Sequence, residues 1–363
     1  MAFEEEHMTS KRIIHVVGTG TLGEPVISLL LNLQKELDVD EITFHKNRPL
    51  RHDSMKIKSL IRRGAKLVVE EERVADFEKL GMQPTYIRPQ ALEQASVIID
   101  CTAEGLGLQH KRDWYDYLTD AKGFIAQGSE FGFGKMYAHG INDGALVPGE
   151  DRFIQVVSCN THNLAVLIKT LALHDEDPDN LVEGRFLCLR RSTDISQDKD
   201  FTPAPDVGRH KDEQFGTHHA KDAWYLFQTL KLDLNLFSSA IKLNTQYMHS
   251  IWFNLRVKRA VTLDEALKKL QANPYVALTE KTMANTIFSF GRDHGYFGRL
   301  LNQTVVSVPT LTVRDGHEIT GFCFTPQDGN SLLSSIAAAA WCLDPNTYEQ
   351  HLQFMMPYLF DEV

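Results

Sequence analysis

The chain has 363 residues, room for two domains at a usual ~150 residues each. Hydrophobic residues make up 43% and charged residues 24%, the balance of a folded globular protein, which excludes a disordered or fibrous chain. Lys and Arg number 38 against 48 Asp and Glu, and the resulting charge of −10 argues against nucleic acid or anionic lipid as a general partner.

No window approaches the ~18 continuous apolar residues of a bilayer span, and the start, Met1-Ala2-Phe3-Glu4-Glu5-Glu6, is acidic where a secretory leader would be basic. A cytoplasmic chain without membrane contact is the expectation. The five cysteines (Cys101, Cys159, Cys188, Cys323, Cys342) are odd in number and scattered, so neither a disulfide framework nor a metal site is expected.

In chain order, β-rich runs at 13–17, 41–44, 65–69, 97–100 and 124–127 alternate with helical periodicity, as in Val26, Ile27, Leu29, Leu30, Leu33 and Leu37. This is the α/β pattern of a parallel sheet covered by helices. After the Gly-rich stretch 128–149 come a strand at 153–157 and a helix carrying Leu164, Ala165, Leu167, Ile168 and Leu171. Strands at 185–189, 237–243, 251–257, 304–308 and 319–324 follow, with a single helix at 263–272. They predict a mixed or antiparallel sheet, an α+β half. The polar stretch 192–221 lacks periodicity and reads as a functional loop. Helices are predicted at 329–343 and 345–359.

Gly18-Thr19-Gly20-Thr21-Leu22-Gly23 directly follows the first strand and opens a helix pattern. In that setting the glycines allow a tight turn and close backbone approach, and the helix start offers its positive dipole end to a pyrophosphate. Gly18, Gly20, Thr21, Leu22 and Gly23 are therefore candidate dinucleotide contacts in a Rossmann-type domain. The acidic residues ~20 positions on, Asp38 and Asp40, precede the second strand and lie at its wrong end. Beyond its far end stand His45, Lys46 and Arg48, cations suited to a 2′-phosphate, so NADP is favoured over NAD.

Ser158-Cys159-Asn160-Thr161 marks a strand-to-helix junction, where the dipole would lower a thiol's pKa and make Cys159 a nucleophile. The other four cysteines read as inert. A thiolate attacking a carbonyl needs an acid or base, and His218, His219 and His249 stand out for that work.

Together these residues resemble the type II, archaeal-type glyceraldehyde-3-phosphate dehydrogenases. The likeness runs from about residue 12 to about 345 through Ala126-Gln127-Gly128-Ser129-Glu130, the Ser158-Cys159-Asn160-Thr161 junction, Arg190-Arg191, Thr217-His218-His219, Met248-His249, Phe290-Gly291-Arg292-Asp293 and Gln327-Asp328. The resemblance implies a nucleotide-binding domain from 1–157 and 327–363, a catalytic domain from 158–326, and a homotetramer. It implies Cys159 as the nucleophile that forms a thioester and His249 as base. Ser158, Asn160, His218 and His219 would meet the substrate, and Thr21, Leu22, Gly128, Arg191 and Gln327 the cofactor. The implied reaction is phosphorylating, NAD(P)-dependent oxidation of glyceraldehyde 3-phosphate to 1,3-bisphosphoglycerate, with inorganic phosphate as co-substrate. Arg191 or Lys221 are candidates for the phosphate groups.

Two departures lie beside the expected substrate site: Thr161-His162-Asn163 where the family shows Thr-Thr-Gly, and His218-His219-Ala220-Lys221 where it shows His-His-Gly-Pro. They leave open another phosphorylated aldehyde or a semialdehyde as substrate, with His162 replacing a hydroxyl contact or filling its space. A catalytically silent dinucleotide-binding regulator is the alternative from another class.

Overall fold

The computed structural model describes residues 11–128, 130–173, 177–194, 202–326 and 328–363. Ser129, Gln327 and part of the 192–221 loop therefore fall outside the described residues.

The first half supplies strands β1 (Ile13–Val17), β2 (Glu41–His45), β3 (Lys66–Val69), β4 (Tyr86–Ile87), β5 (Val97–Asp100), β6 (Gly123–Gln127), β7 (Lys135–Tyr137) and β8 (Phe153–Val156). They form one parallel sheet in the order β4-β3-β2-β1-β5-β6-β8-β7. A parallel sheet is covered on both faces, which is why its central strands read as unbroken apolar runs. β1, β5 and β6 are buried at every position. The covering helices include α1 (Gly23–Asn32), α2 (Ser54–Arg62), α3 (Val74–Lys79), α4 (Arg88–Gln94) and α5 (Leu106–Asp113).

The chain leaves this sheet through α6 (Cys159–Leu167) and enters a second, mixed sheet built from β9 (Leu181–Arg190), β10 (Asp206–Val207), β11 (Leu236–Lys242), β12 (His249–Val257), β13 (Val276–Thr279), β14 (Thr304–Ser307), β15 (Thr312–Arg314) and β16 (Glu318–Thr325). Its order is β10-β11-β9-β12-β16-β14-β13, with β15 on β16, and β9 and β14 each pair parallel on one side and antiparallel on the other. The α/β plus mixed-sheet architecture is the one the sequence predicts.

Among the described residues this half holds three α-helices after α6, namely α7 (His218–Gln228), α8 (Leu263–Ala272) and α9 (Ala284–His294), where the sequence predicts only α8. The end of the chain, α10 (Gly329–Leu343) and α11 (Tyr348–Leu352), returns to the parallel sheet, where α10 packs on β5, β6 and β8. α10 is buried from end to end, although it carries Asn330, Ser331, Ser334 and Ser335. Those polar side chains must find partners inside the protein.

Candidate active site

Strand order reverses between β1 and β5, so the turns after these two strands open a crevice at their carboxyl ends, the usual ligand position in such sheets. The glycine turn fills it. Gly18 has φ 97° and a side chain there would meet the Cys101 carbonyl oxygen at 3.1 Å, while a Cβ on Gly23 would sit 2.2 Å from the Gly18 carbonyl oxygen. Gly20 has open space above it.

Two adjoining cavities, of about 840 Å³ and 420 Å³, meet at Gly20, Lys56, Cys101, Thr102 and Ala103. The larger is lined by Thr21, Leu22, Gly128, Ser158, Cys159, Asn160, Arg191, His218, His219 and His249; Gly18 and Lys46 line the smaller. The structure thus gathers every described candidate residue except Lys221 and Gly23, the latter shaping the turn from beneath. Residues that line this space carry buried polar atoms without a hydrogen-bond partner among the described residues: Thr19 Oγ1, both His219 ring nitrogens, Arg191 Nε and Asp328 Oδ2. An unsatisfied buried group costs about 1–3 kcal/mol, and a long polar ligand across both cavities would satisfy these. The residues fit a dinucleotide.

Cys159 is the first residue of α6, behind an N-cap in which Ser158 Oγ accepts from the Thr161 backbone N–H at 3.3 Å. The cleft, however, reverses the expected direction of its acidity. Burial pushes the thiol up to about 11; the Arg191 guanidinium pulls it down, and Asp328 and Asp194 push it up again. Arg191 does not offer a free charge, because it is ion-paired with Asp194 and lies 3.9 Å from Asp328. α10 reaches over to hold the thiol's backbone, with Asn330 Nδ2 donating to the Cys159 carbonyl at 2.9 Å.

His249 begins β12 and is nearly buried; burial and the neighbouring Arg191 and Arg190 hold its pKa well below the usual imidazole range, so the ring is neutral. Its Nδ1 lies 3.0 Å from Asn160 Nδ2. His218 and His219, predicted in an irregular segment, instead open α7: His218 is exposed at the rim and His219 is buried and held neutral by burial and by His218 and Arg190.

The departures from the family pattern do not face the cleft. His162 is fully buried, its Nδ1–H donating to the Ser158 carbonyl at 2.9 Å and its Nε2 accepting from the Ser334 hydroxyl at 2.8 Å. It fills space between α6 and α10 and does not replace a substrate contact. Ala220 is in the core, and Lys221 is paired with Asp212 at 3.0 Å and does not line the cleft, which removes it as a phosphate ligand.

At the other cavity, Asp38 and Asp40 bind Arg12 at the far end of β1 and β2, away from the glycine turn. Lys46 lines the cavity but its Nζ lies 2.5 Å from Asp53 Oδ2, so its charge is already partnered; Arg48 is exposed at the mouth. The sequence reading passed over Lys56, Arg299, Asp194 and Asp328 in the larger cavity. Asp328 alone had a signal, as the second residue of the Gln327-Asp328 motif.

A parallel sheet with a glycine turn at its crevice, joined to a mixed sheet whose first helix presents a cysteine to the same cleft, defines a nicotinamide dinucleotide-dependent oxidoreductase. No protein-family model matches the chain. Individual relatives do. Over 319 residues it is 26% identical to the glyceraldehyde-3-phosphate dehydrogenase of Metallosphaera sedula, covering 84% of this chain and 85% of that one. The enzymes of the same name from Methanobacterium bryantii and Methanothermus fervidus are 25% and 26% identical over 317 and 318 residues, each across 84% of this chain and 86% of its own length. The chain is similar to these archaeal enzymes along most of its length.

Proposed function

We propose that the protein is a phosphorylating glyceraldehyde-3-phosphate dehydrogenase that oxidises the aldehyde through a thioester on Cys159 to 1,3-bisphosphoglycerate. The observation that carries this reading is the convergence of Cys159, neutral His249 and two arginines, Arg190 and Arg191, on the cleft that the glycine turn opens. The names of the relatives support the substrate.

In this reading, residues 1–157 with 327–363 form the nucleotide domain and 158–326 the catalytic domain. Gly18, Gly20, Thr21, Leu22, Gly128, Arg191 and Gln327 hold the dinucleotide, which supplies hydride acceptance when bound. Lys46, released from Asp53, and Arg48 hold a 2′-phosphate, so NADP is the better cofactor. Cys159 as thiolate adds to the aldehyde carbon, and His249 faces the aldehyde oxygen. Ser158 and Asn160 flank the aldehyde; His218 and His219, with Arg190, bind its phosphate end. Inorganic phosphate then displaces the acyl group from sulfur. A homotetramer in the cytoplasm completes the reading.

The test is formation of reduced cofactor at saturating glyceraldehyde 3-phosphate, with NADP or NAD and with or without inorganic phosphate. Phosphate-dependent turnover, faster with NADP, is the expected result. Turnover without phosphate would overturn the phosphorylating route. One observation favours a second reading: the raised thiol of Cys159 is also what a catalytically silent dinucleotide-binding protein would show. No turnover with any aldehyde, from protein that binds the dinucleotide, would establish that second reading.

A further inference from the structure

The strand reversal between β1 and β5 leaves two turns at the crevice, and each runs into a helix, α1 after β1 and α5 after β5. Both helix starts carry N–H groups without helical partners and a positive dipole end. They are not equivalent. The start of α1 has no side-chain cap, whereas the start of α5 is filled by a carboxylate of the chain itself. Glu130, from the turn after β6, is only 3% exposed; its Oε1 accepts from the Gly105 N–H at 2.5 Å and its Oε2 from the Leu108 N–H at 3.0 Å. A Cβ on Gly107 would lie 3.1 Å from the carboxyl carbon, so glycine there leaves the carboxylate its room.

Glu130 closes the Ala126-Gln127-Gly128-Ser129-Glu130 motif, of which the reading above uses only Gly128. Its own end is firmly held. Gly128, two residues back, donates its N–H to the Val156 carbonyl at 2.8 Å, and its carbonyl accepts from Gln155 Nε2 at 2.9 Å. The Phe133 N–H closes a turn on the Glu130 carbonyl at 2.9 Å, and Phe131 within that turn packs on Tyr225 of α7, the ring centroids 4.7 Å apart.

The other end needs holding. Ala103, Glu104 and Gly105 are exposed. The Asp100 carboxylate bonds the Thr102 N–H and hydroxyl and His110 Nδ1, and so reaches only the beginning of this loop and the later part of α5. Yet Cys101, Thr102 and Ala103 form the wall where the two cavities meet, opposite Gly20 and Lys56.

We propose that Glu130 is a positioning residue for the dinucleotide: its carboxylate ties the β5–α5 loop to the fixed turn after β6, and so sets the width of the passage between the two cavities. This rests on the dinucleotide binding proposed above. Glu130 lines neither cavity, so it acts through the loop and touches no ligand atom.

The test is a fluorescence titration of the full protein with NADP and with NAD, beside its thermal midpoint. In Glu130→Gln the amide oxygen can serve the Gly105 N–H, but the amide nitrogen then faces the Leu108 N–H, donor against donor. The dinucleotide Kd should rise about tenfold in Glu130→Gln and further in Glu130→Ala, as one and then both charge-assisted hydrogen bonds are lost. Glu130→Ala also opens a carboxylate-sized gap onto two N–H groups. Sodium acetate should refill it and bring Kd back towards the parent value, while sodium chloride at equal ionic strength should not, and the parent should ignore both.

A residue that only caps α5 would lower Tm in both variants and leave Kd unchanged, and that result overturns the inference. A folded Glu130→Ala protein whose Kd does not respond to acetate overturns it as well. If Glu130→Ala does not fold, the Glu130→Gln titration decides alone. A parent chain that binds neither cofactor overturns the dinucleotide reading and this inference with it; a parent that binds, with variants equally tight, overturns the inference alone.

Discussion

Asn330 donates from Nδ2 to the carbonyl oxygen of Cys159 at 2.9 Å, and from the same nitrogen to the Gln303 carbonyl at 3.2 Å, so the returning helix α10 grips the backbone of the cleft thiol. Ser334, one turn further along α10, does the same at second hand through His162 and the Ser158 carbonyl. The nucleotide-side helix and the thiol are therefore one mechanical unit.

Asn330 is fully buried. Asn330→Ala removes one hydrogen bond from each of two carbonyls, at about 0.5–1.5 kcal/mol each. The expected outcome is a lower denaturant midpoint together with a loss of about tenfold or more in kcat, since a displaced Cys159 misaims its sulfur. Stability reduced with kcat unchanged would show that the grip is structural only.

The thiol itself is the second test. With its pKa raised to about 11, Cys159 is protonated at neutral pH, and alkylation of the ligand-free protein should be slow at pH 7 and accelerate about tenfold per pH unit towards pH 10. Cys188, Cys323 and Cys342 are buried and should stay unreactive in the folded chain. Cys159→Ala should abolish the fast-growing phase and lower kcat by about 10³-fold or more while dinucleotide binding survives. A thiol that reacts rapidly and independently of pH from 7 upwards would restore the low-pKa expectation.

How much of this was legible in the sequence depends on how each element is buried. β1, β5 and β6 were readable because a strand covered on both faces must be apolar throughout. α7 was not: its inward stripe is His219, Ala220, Ala223, Leu226 and Phe227, and two alanines and a histidine weaken the hydrophobic period. α9 buries only Ile287 and Gly291. β4 and β7, at two and three residues, are too short to show alternation. Cys159 was identified from its junction, but its thiol is raised chiefly by burial in a cleft that distant parts of the chain close around it, with Asp328 and Asp194 adding to the shift. His162 stood out only as a departure from the family pattern, able to replace a hydroxyl contact or fill its space, and it is the packing of α10 from the far end of the chain that gives it Ser334 as a partner.

The buried histidines set the acid limit. Burial is the main cause in each: with neighbouring charge it lowers His15 to about 3 and His45 to about 4, and His162 falls to about 4. Above the unfolded value of about 6.5 both states are neutral and none of the three contributes a pH dependence. Below it the unfolded chain takes up protons that the folded one refuses, so stability falls as pH drops from about 6.5 to about 4. Each histidine adds a slope of up to about 1.4 kcal/mol per pH unit. Urea midpoints between pH 7 and pH 4.5 should fall accordingly, and a flat profile across that range would contradict neutral burial.

The NADP preference proposed above rests on Lys46. If it leaves Asp53 for a 2′-phosphate, it exchanges one charge-assisted hydrogen bond for another, so NADP gains only the part of that bond's about 1.5–3 kcal/mol that the doubly charged phosphate adds over Asp53, and NAD gains nothing. Lys46→Ala should weaken NADP binding about tenfold or more and leave NAD within twofold, read by fluorescence titration. Asp53→Asn frees Lys46 in advance and should tighten NADP. Equal effects of Lys46→Ala on both cofactors would assign the lysine to the loop and return the preference to NAD.

The two glycines of the turn separate folding from binding. At Gly23 an added Cβ would lie 2.2 Å from the Gly18 carbonyl oxygen, closer than any real contact, so Gly23→Ala must push the turn away from α1. Overpacking of this kind costs about 1–3 kcal/mol, and Tm should fall with binding. Gly20 meets nothing within 4 Å and lines both cavities, so Gly20→Ala adds its methyl only to the ligand's space. That variant should keep its Tm and lose dinucleotide affinity by about tenfold or more. A Gly20→Ala protein that binds the dinucleotide as tightly as the parent would mean that the turn does not touch the ligand, and the pyrophosphate would have to be placed elsewhere along the crevice between β1 and β5.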